Sequence, residues 1–326
     1  MKETKRKTIV LVILLALALI LLALAVVRME KIKASLPDMY AAERAGESGG
    51  RFAQVGVFFA ANETVTDFDV LYYNESIVTA LKSSGVPKEE LEGGISYAFS
   101  NQAKLTVKSA RGYFEVPAIG TGGSFFDFHP YTLLYGDYAQ DDSGRGVVLS
   151  DAAAWKLFGA VDVEGLTLSI QGEEYVVTGV VKLEGGKAVR EALGDVDSVI
   201  FVPYLTIGET VSCYEAVLPE PVKGNAERII NGVYAGSAVK QVDTGRFSAL
   251  NILRLTGRLP AAGMSKSPVE YPFWENAARS AQIRLALWTL FILAWIAPAL
   301  VIILAFLCPA LVRKVKTDIS RPKNKG

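Results

Sequence analysis

Nineteen consecutive apolar residues, IVLVILLALALILLALAVV from Ile9 to Val27, constrain this chain more than any other feature. As a helix they make about one bilayer crossing of ~20 residues. Fifteen of them are Leu, Ile or Val, each favouring insertion by roughly 0.3–0.6 kcal/mol near the bilayer centre. A second uncharged run extends from Leu285 to Val312 and contains Trp288, Trp295 and Pro298. Pro298 is expected to kink that helix, because proline removes a backbone donor, and Pro309 lies near its end. Ala23-Leu24-Ala25 has the small residues of a signal-peptide cleavage site, but signal cores usually span only about 7–15 residues. The first run therefore reads as an uncleaved anchor.

Charge sets the orientation. Lys2, Lys5, Arg6 and Lys7 precede the first run, and Arg313, Lys314, Lys316, Arg321, Lys323 and Lys325 follow the second. Between the runs, Arg28 to Arg284 holds 24 basic and 32 acidic residues, a net charge of −8. The positive-inside rule puts both termini in the cytoplasm and the acidic middle outside, extracellular or periplasmic. A surface of that sign offers no basic patch to displace counterions from phosphates, which argues against a nucleic-acid partner. Membrane lipid is the partner that the two runs and the basic tail call for.

Only Cys213 and Cys308 are present. One lies in the middle and one in the second apolar run, so the middle has to fold without an internal disulfide. It is large enough to bury a sizeable core unaided.

The middle reads as α+β. Residues from Met29 to Ala45 are taken as a helical stalk leading out of the first anchor, and Pro268 to Arg284 as a second stalk beside it. Tyr271, Phe273 and Trp274 suit a membrane interface or packing against the first stalk. Phe52–Phe59 reads as a strand, and Asn74–Ser84 as a helix capped by Asn74 and ended by Gly85. Three strand-like runs follow, ISYAF, AKLTVKS and YFEVPAIG. GRGVVLSDAAAWKLFG reads as a strand running into a helix, with Ser150 as N-cap and Gly159 past its end. Leu166–Ile170 and Tyr175–Lys182 form a hairpin around Gly172. Strands at Ser198–Val202 and Ser212–Leu218 and a helix near Asn225–Ala235 complete the pattern. Many strands with few helices indicate α+β, not a doubly wound parallel sheet.

No catalytic constellation stands out. There is no phosphate-loop motif, and one histidine with one exported cysteine cannot build a His/Cys zinc site. Gly46-Glu47-Ser48-Gly49-Gly50 fits G-x-S-x-G, but a nucleophile elbow needs a strand before the serine and a helix after it. Here the order is reversed, which makes the stretch a linker. Asp137, Asp141 and Asp142 lack the turn glycine and bidentate glutamate of a calcium loop and read as a solvated acidic turn. The glycosylation-like triplets at Asn62 and Asn74 are too short to carry weight. His129, the only histidine, lies between Phe125, Phe126, Phe128 and Pro130. It is expected to donate one hydrogen bond to a backbone carbonyl while its ring packs in a corner.

The order of the pieces resembles the MacB-like periplasmic core domain and FtsX-like ABC transporter permeases. The matching pieces are the Phe-containing turn at Phe125–Phe128, Leu133-Leu134-Tyr135-Gly136, Leu157-Phe158-Gly159 and Val177-Thr178-Gly179-Val180. Each reads as structural: Gly136 and Gly159 end elements, Phe158 and Trp155 supply core, and Gly179 marks close approach of a neighbour. The resemblance implies an exported domain of two subdomains that relays motion or clamps, with no cofactor and no enzymatic activity of its own. It also implies a separate cytoplasmic ABC ATPase and a further permease subunit as partners. By this analogy the inserted subdomain covers about 122–204.

The resulting layout is a cytoplasmic tail (1–7), a membrane helix (8–27), a stalk and linker (28–50) and the exported core (51–267). A second stalk (268–284), a second membrane helix (285–312) and a basic tail (313–326) follow. Two-helix permeases of this kind depart from the usual four. The alternative reading is a free-standing anchored surface module binding a peptide, lipid or protein, with the aromatics of Phe125–Tyr135 as its contact face. A hydrolase using His129 or Ser48 is a third.

Overall fold

In the computed structural model, residues 2–47, 49–91, 94–138, 144–183, 198–234, 238–259 and 269–306 are described. Ser48, Asp141, Asp142, Pro268, Cys308, Pro309 and the basic segment 313–326 lie outside them. The chain divides into two compact units. One comprises Met1–Ala34, Ala249–Ala262 and Gln282–Gly326, the other Ser35–Ser248 and Gly263–Ala281.

The first unit is helical. The first apolar run lies inside α1 (Lys2–Ala34), one unbroken helix. Later in the chain come α7 (Ala249–Thr256) and α8 (Phe273–Phe291), of which α8 supplies residues to both units. Together with the helix that continues it to Phe306, α8 forms the second of two helices long and apolar enough to cross a membrane. The two meet where Ala18 and Ile303 are buried against Leu11, Leu15 and Leu300. The irregularity expected at Pro298 is a wide π turn over Ile292–Ile296. Such a turn lets a helix absorb the donor that proline lacks.

The second unit is built on a ten-stranded sheet: β1 (Phe52–Phe58), β2 (Ser96–Ser109), β3 (Gly112–Gly123), β4 (Thr132–Gly136), β5 (Gly146–Ser150), β6 (Thr167–Ile170), β7 (Glu173–Lys182), β8 (Ile200–Pro203), β9 (Cys213–Pro219) and β10 (Val239–Val242). The order is β10-β1-β9-β2-β3-β8-β5-β7-β4, with β6 bridging β2 and β7. Its helices are α2 (Ala41–Gly46), α3 (Asp67–Ser83), α4 (Phe125–Phe128), α5 (Asp151–Phe158) and α6 (Asn225–Val233). The fold is α+β, as expected.

Two apolar cores share this sheet. In the first, α3 and α6 cover Val55 and Val57 of β1 and Tyr214, Ala216 and Leu218 of β9. The second gathers Val116 of β3, Leu149 of β5, Leu157 of α5, Val177 of β7 and Ile200 of β8. β2 serves both, with Phe99 in the first core and Leu105 and Val107 in the second. The second core thus begins upstream of residue 122, because Leu105 and Val107 of β2 and Val116 and Ala118 of β3 belong to it.

Local chemistry explains the elements. Ser150 caps α5, its Oγ accepting from the Ala153 amide at 3.1 Å, and Gly159 ends the helix at φ +79°. That left-handed conformation suits glycine. The β6–β7 turn places Gln171 and Gly172 at φ +54° and +90°, the geometry of a tight hairpin.

Three sequence expectations are corrected. α3 starts seven residues before Asn74, with Thr66 and Asp69 forming a reciprocal capping box. Asn74 is instead buried mid-helix, its Oδ1 accepting from the Tyr214 hydroxyl. ISYAF and AKLTVKS are a single strand, β2. The stalk Met29–Ala45 is not one helix: α1 stops at Ala34, and Pro37 opens a short 3-10 turn over Pro37–Tyr40. Proline restricts the residue before it to extended conformations, and here that residue, Leu36, is fully buried.

Candidate functional site

Side chains alternate across a strand, so the residues of β1 and β9 that do not enter the first core point to the opposite face of the sheet. On β1 these include Gln54, Gly56 and Phe58; on β9 they include Cys213 and Glu215, paired with Phe58 and Gly56 respectively. That face is covered by the 3-10 turn with α2, by α4, and by the first turns of α8. A buried network of charge lies between them.

His129 is at its centre. It caps the C-terminal end of α4, its amide donating to the Phe125 carbonyl at 3.0 Å. Its ring is completely buried. Nδ1 lies 2.8 Å from Asp38 Oδ1 in the 3-10 turn, and Nε2 lies 2.9 Å from Glu215 Oε2 on β9. Burial alone would lower the pKa of this ring. The Glu215 charge and the hydrogen bonds accepted by Asp38 and Glu215 outweigh it and raise the value to about 9. At neutral pH His129 is therefore an imidazolium donating to two carboxylates. The expectation of a packed corner bonded to a backbone carbonyl is corrected: the ring is packed, but both nitrogens meet acidic side chains.

Neighbouring groups hold this triad in place. Gln54 Nε2 donates to the Asp38 carbonyl at 2.7 Å while its Oε1 accepts from the Ala41 amide at 2.8 Å, which fixes the 3-10 turn. Arg44 Nη1 donates to the Pro37 carbonyl at 2.7 Å, and Nη2 donates to the carbonyls of Asp127 and Phe128. Arg44 thereby ties α2 to α4. Trp274 of α8 packs on the His129 ring at 4.4 Å and on Phe125 at 5.6 Å.

Glu275, next to that tryptophan, begins a second cluster. Arg246 meets it through two nitrogens, Nη1 to Oε2 at 2.6 Å and Nη2 to Oε1 at 2.9 Å. Two-pronged pairing of this kind fixes geometry as well as charge. Arg246 Nη1 also contacts Asp243 Oδ1 at 2.9 Å, and Arg279 Nε reaches Glu275 Oε1 at 2.6 Å from the rim. Burial raises the Asp243 carboxyl to about 7, against the lowering influence of Arg246. The Tyr131 hydroxyl, Arg246 Nε and Trp274 Nε1 have no hydrogen-bond partner among the described residues. Among those residues, no group of His, Cys, Asp and Glu is arranged to hold a metal.

The remaining residues singled out from the sequence are dispersed. Phe125 and Phe128 are buried beside the triad, and Phe126 stacks on Tyr138 at 4.5 Å. Pro130 is exposed. With Phe125, Phe128 and Tyr131 buried, the aromatics of Phe125–Tyr135 do not form the contact face that a surface module would use. Leu157 is fully buried and Phe158 packs against the second core. Trp155, expected in the core, is 57% exposed: Ala153, Ala154 and Leu157 occupy the inward side of α5 and turn it out. Gly136 and Gly179 face each other across β4 and β7. A Cβ on Gly136 would lie 2.1 Å from the Thr178 carbonyl oxygen, and one on Gly179 2.2 Å from the Asp137 carbonyl oxygen. The two strands can approach only as glycines.

Asp38, Glu215, Arg246 and Glu275 were not singled out from the sequence. The available signal was a carboxylate inside an otherwise apolar strand, CYEAVLP. Trp274, read as suiting either a membrane interface or packing against the first stalk, is almost wholly buried beside His129.

The sequence model of the MacB-like periplasmic core domain matches residues 8–252. No curated protein matches the chain. Among solved structures, the periplasmic region of MacB from Actinobacillus actinomycetemcomitans is 14% identical with a TM-score of 0.42, covering 60% of this chain and 92% of that one. The extracellular domain of the noncanonic ABC-type transporter YknZ from Gram-positive bacteria is 17% identical, TM-score 0.39, covering 58% and 98%. A permease-protein domain from Porphyromonas gingivalis is 14% identical, TM-score 0.35, covering 63% and 96%.

Proposed function

Because this chain belongs to the MacB-like periplasmic core domain family, we propose that it is a non-catalytic, permease-like subunit of an ABC-transporter-type assembly. Its core lies outside the membrane, both termini are cytoplasmic, and it relays motion driven by a separate cytoplasmic ATPase. A further permease subunit completes the membrane part.

One observation carries the reading. Asp38 lies four residues beyond the end of α1, and Trp274 and Glu275 lie in the first turn of α8. His129 bonds to the first and packs on the second. The two segments that continue the membrane helices are thus joined to one buried network and, through Glu215 of β9, to the sheet. Buried ion pairs add little net stability over apolar packing, but they impose strict geometry, and breaking one leaves an uncompensated charge. That is the behaviour required of a coupling element: displacement of the segment carrying Asp38 or of the first turn of α8 would move the sheet or break the network.

The test is crosslinking of the tagged full chain in native membranes, followed by mild extraction and mass spectrometry. An ATPase and a multi-helix partner should come with it, and Asp38→Asn should keep that association while abolishing the activity of the assembly. Recovery of the chain alone would defeat the proposal.

A further inference from the structure

Helix α7 was not anticipated from the sequence and takes no part in the charge network. It carries two leucines facing out, Leu250 and Leu253, exposed by 56% and 47%, while Ile252 between them is buried. Residues three apart share a helix face, so Leu250 and Leu253 form one outward strip. Arg254 lies on the same side, and Arg258 follows in the next turn; both are exposed. α7 belongs to the compact unit that contains the two apolar helices. It also follows the sheet-bearing unit directly in sequence, at Ser248–Ala249.

We propose that the outward face of α7, Leu250, Leu253 and Arg254, together with Arg258 just past its end, rests on the outer lipid leaflet, with the leucines in the acyl boundary and the guanidinium groups on headgroup phosphates. Apolar residues flanked by arginine are the composition of a helix lying in the membrane interface, where the apolar side enters about 5–10 Å. Long basic side chains reach from such a helix to the phosphates while their stems cover apolar surface. A bilayer beside the membrane helices accepts both leucines and arginines. This inference rests on both apolar helices crossing a bilayer, but on no ATPase.

The test uses the full chain, with Cys308→Ser, in nanodiscs containing brominated lipid. A fluorophore is attached singly at Leu250→Cys, Leu253→Cys, Leu19→Cys within α1, or Tyr113→Cys at the exposed β2–β3 turn. Cys213 is buried. Leu250 and Leu253 are both surface positions, so each labelled variant checks the other against misfolding. Quenching at positions 250, 253 and 19, well above that at 113, is the expected result. Quenching at 19 without quenching at 250 and 253 overturns the proposal while leaving the membrane helices intact. No quenching at 19 would overturn the crossing itself. A probe at 253 shielded from water yet untouched by brominated lipid would also overturn it, by assigning the face to a protein partner.

Discussion

His129 Nδ1 and Asp38 Oδ1, 91 residues apart in sequence, meet at 2.8 Å with no solvent exposure of the ring. Their pairing makes the stability of the core depend on pH in a defined direction. His129 has a folded pKa of about 9 against 6.5 when unfolded. It therefore contributes about 3 kcal/mol that is complete below pH 6.5 and disappears as the pH rises through 9. Thermal melting of the full chain in nanodiscs should show that loss between pH 6.5 and 9, and His129→Gln should flatten it. An unchanged slope in the variant would refute the assignment.

Asp243 has the opposite relation to its ordinary value. Its carboxyl is raised from 3.8 to about 7, so the folded protein holds a proton that the unfolded chain releases, and stability falls as pH rises from 3.8 towards 7. Asp243→Asn should lessen that fall relative to the parent. Melting curves between pH 4 and 7 decide it.

The two-pronged contact of Arg246 with Glu275 predicts a non-additive pair. Arg246→Met alone should cost about 3–5 kcal/mol, because it leaves buried carboxylates uncompensated. Glu275→Gln added to it should restore part of that loss. A double-mutant cycle in denaturant that shows simple additivity would mean the two side chains do not depend on each other.

α5 supplies an internal comparison. Leu157→Ala removes a fully buried side chain and should cost about 2–5 kcal/mol. Trp155→Ala removes an exposed one and should stay within about 0.5 kcal/mol. Equal losses would contradict the outward orientation of Trp155.

Gly179→Ala should loosen β4, since its Cβ meets a carbonyl oxygen that belongs to the backbone. Overpacking of this kind typically costs about 1–3 kcal/mol. Amide exchange across Thr132–Gly136 should rise in the variant while exchange in β1 stays unchanged.

How far the sequence discloses this arrangement depends on whether the cause is local. The two long apolar helices follow from uninterrupted apolar runs, and α5 from a serine cap and a terminal glycine nine residues apart. β2 was split in reading because Ser100, Asn101 and Gln102 interrupt its alternation. Asn101 is polar for a tertiary reason, since its Nδ2 donates to the carbonyls of Tyr204, Gly208 and Thr210. The start of α3 was missed because its Thr66 cap precedes two acidic residues and an exposed phenylalanine, with no apolar stripe to announce a helix. The site was the least legible part. His129 shows itself as unusual by being solitary among phenylalanines, but Asp38 and Glu215 are ordinary acidic residues until the fold buries them against it. Trp155 misled because an aromatic in a short helix is commonly core, and here three smaller residues take the inward side.

The shared β2–β3 ribbon, paired from Ala98 with Gly123 to Ser109 with Gly112, leaves no seam between the two cores. A protease looking for a connecting linker would find instead a hydrogen-bonded ladder whose ends belong to different hydrophobic clusters. Dividing the gene at residue 122 would leave the ribbon in one product, cut off from β8 and β9 on its two sides, with unpaired edges prone to aggregation. The two halves are therefore a single heritable unit, and recombination within this domain is viable only where the ribbon travels with β8 and β9, its partners on either side.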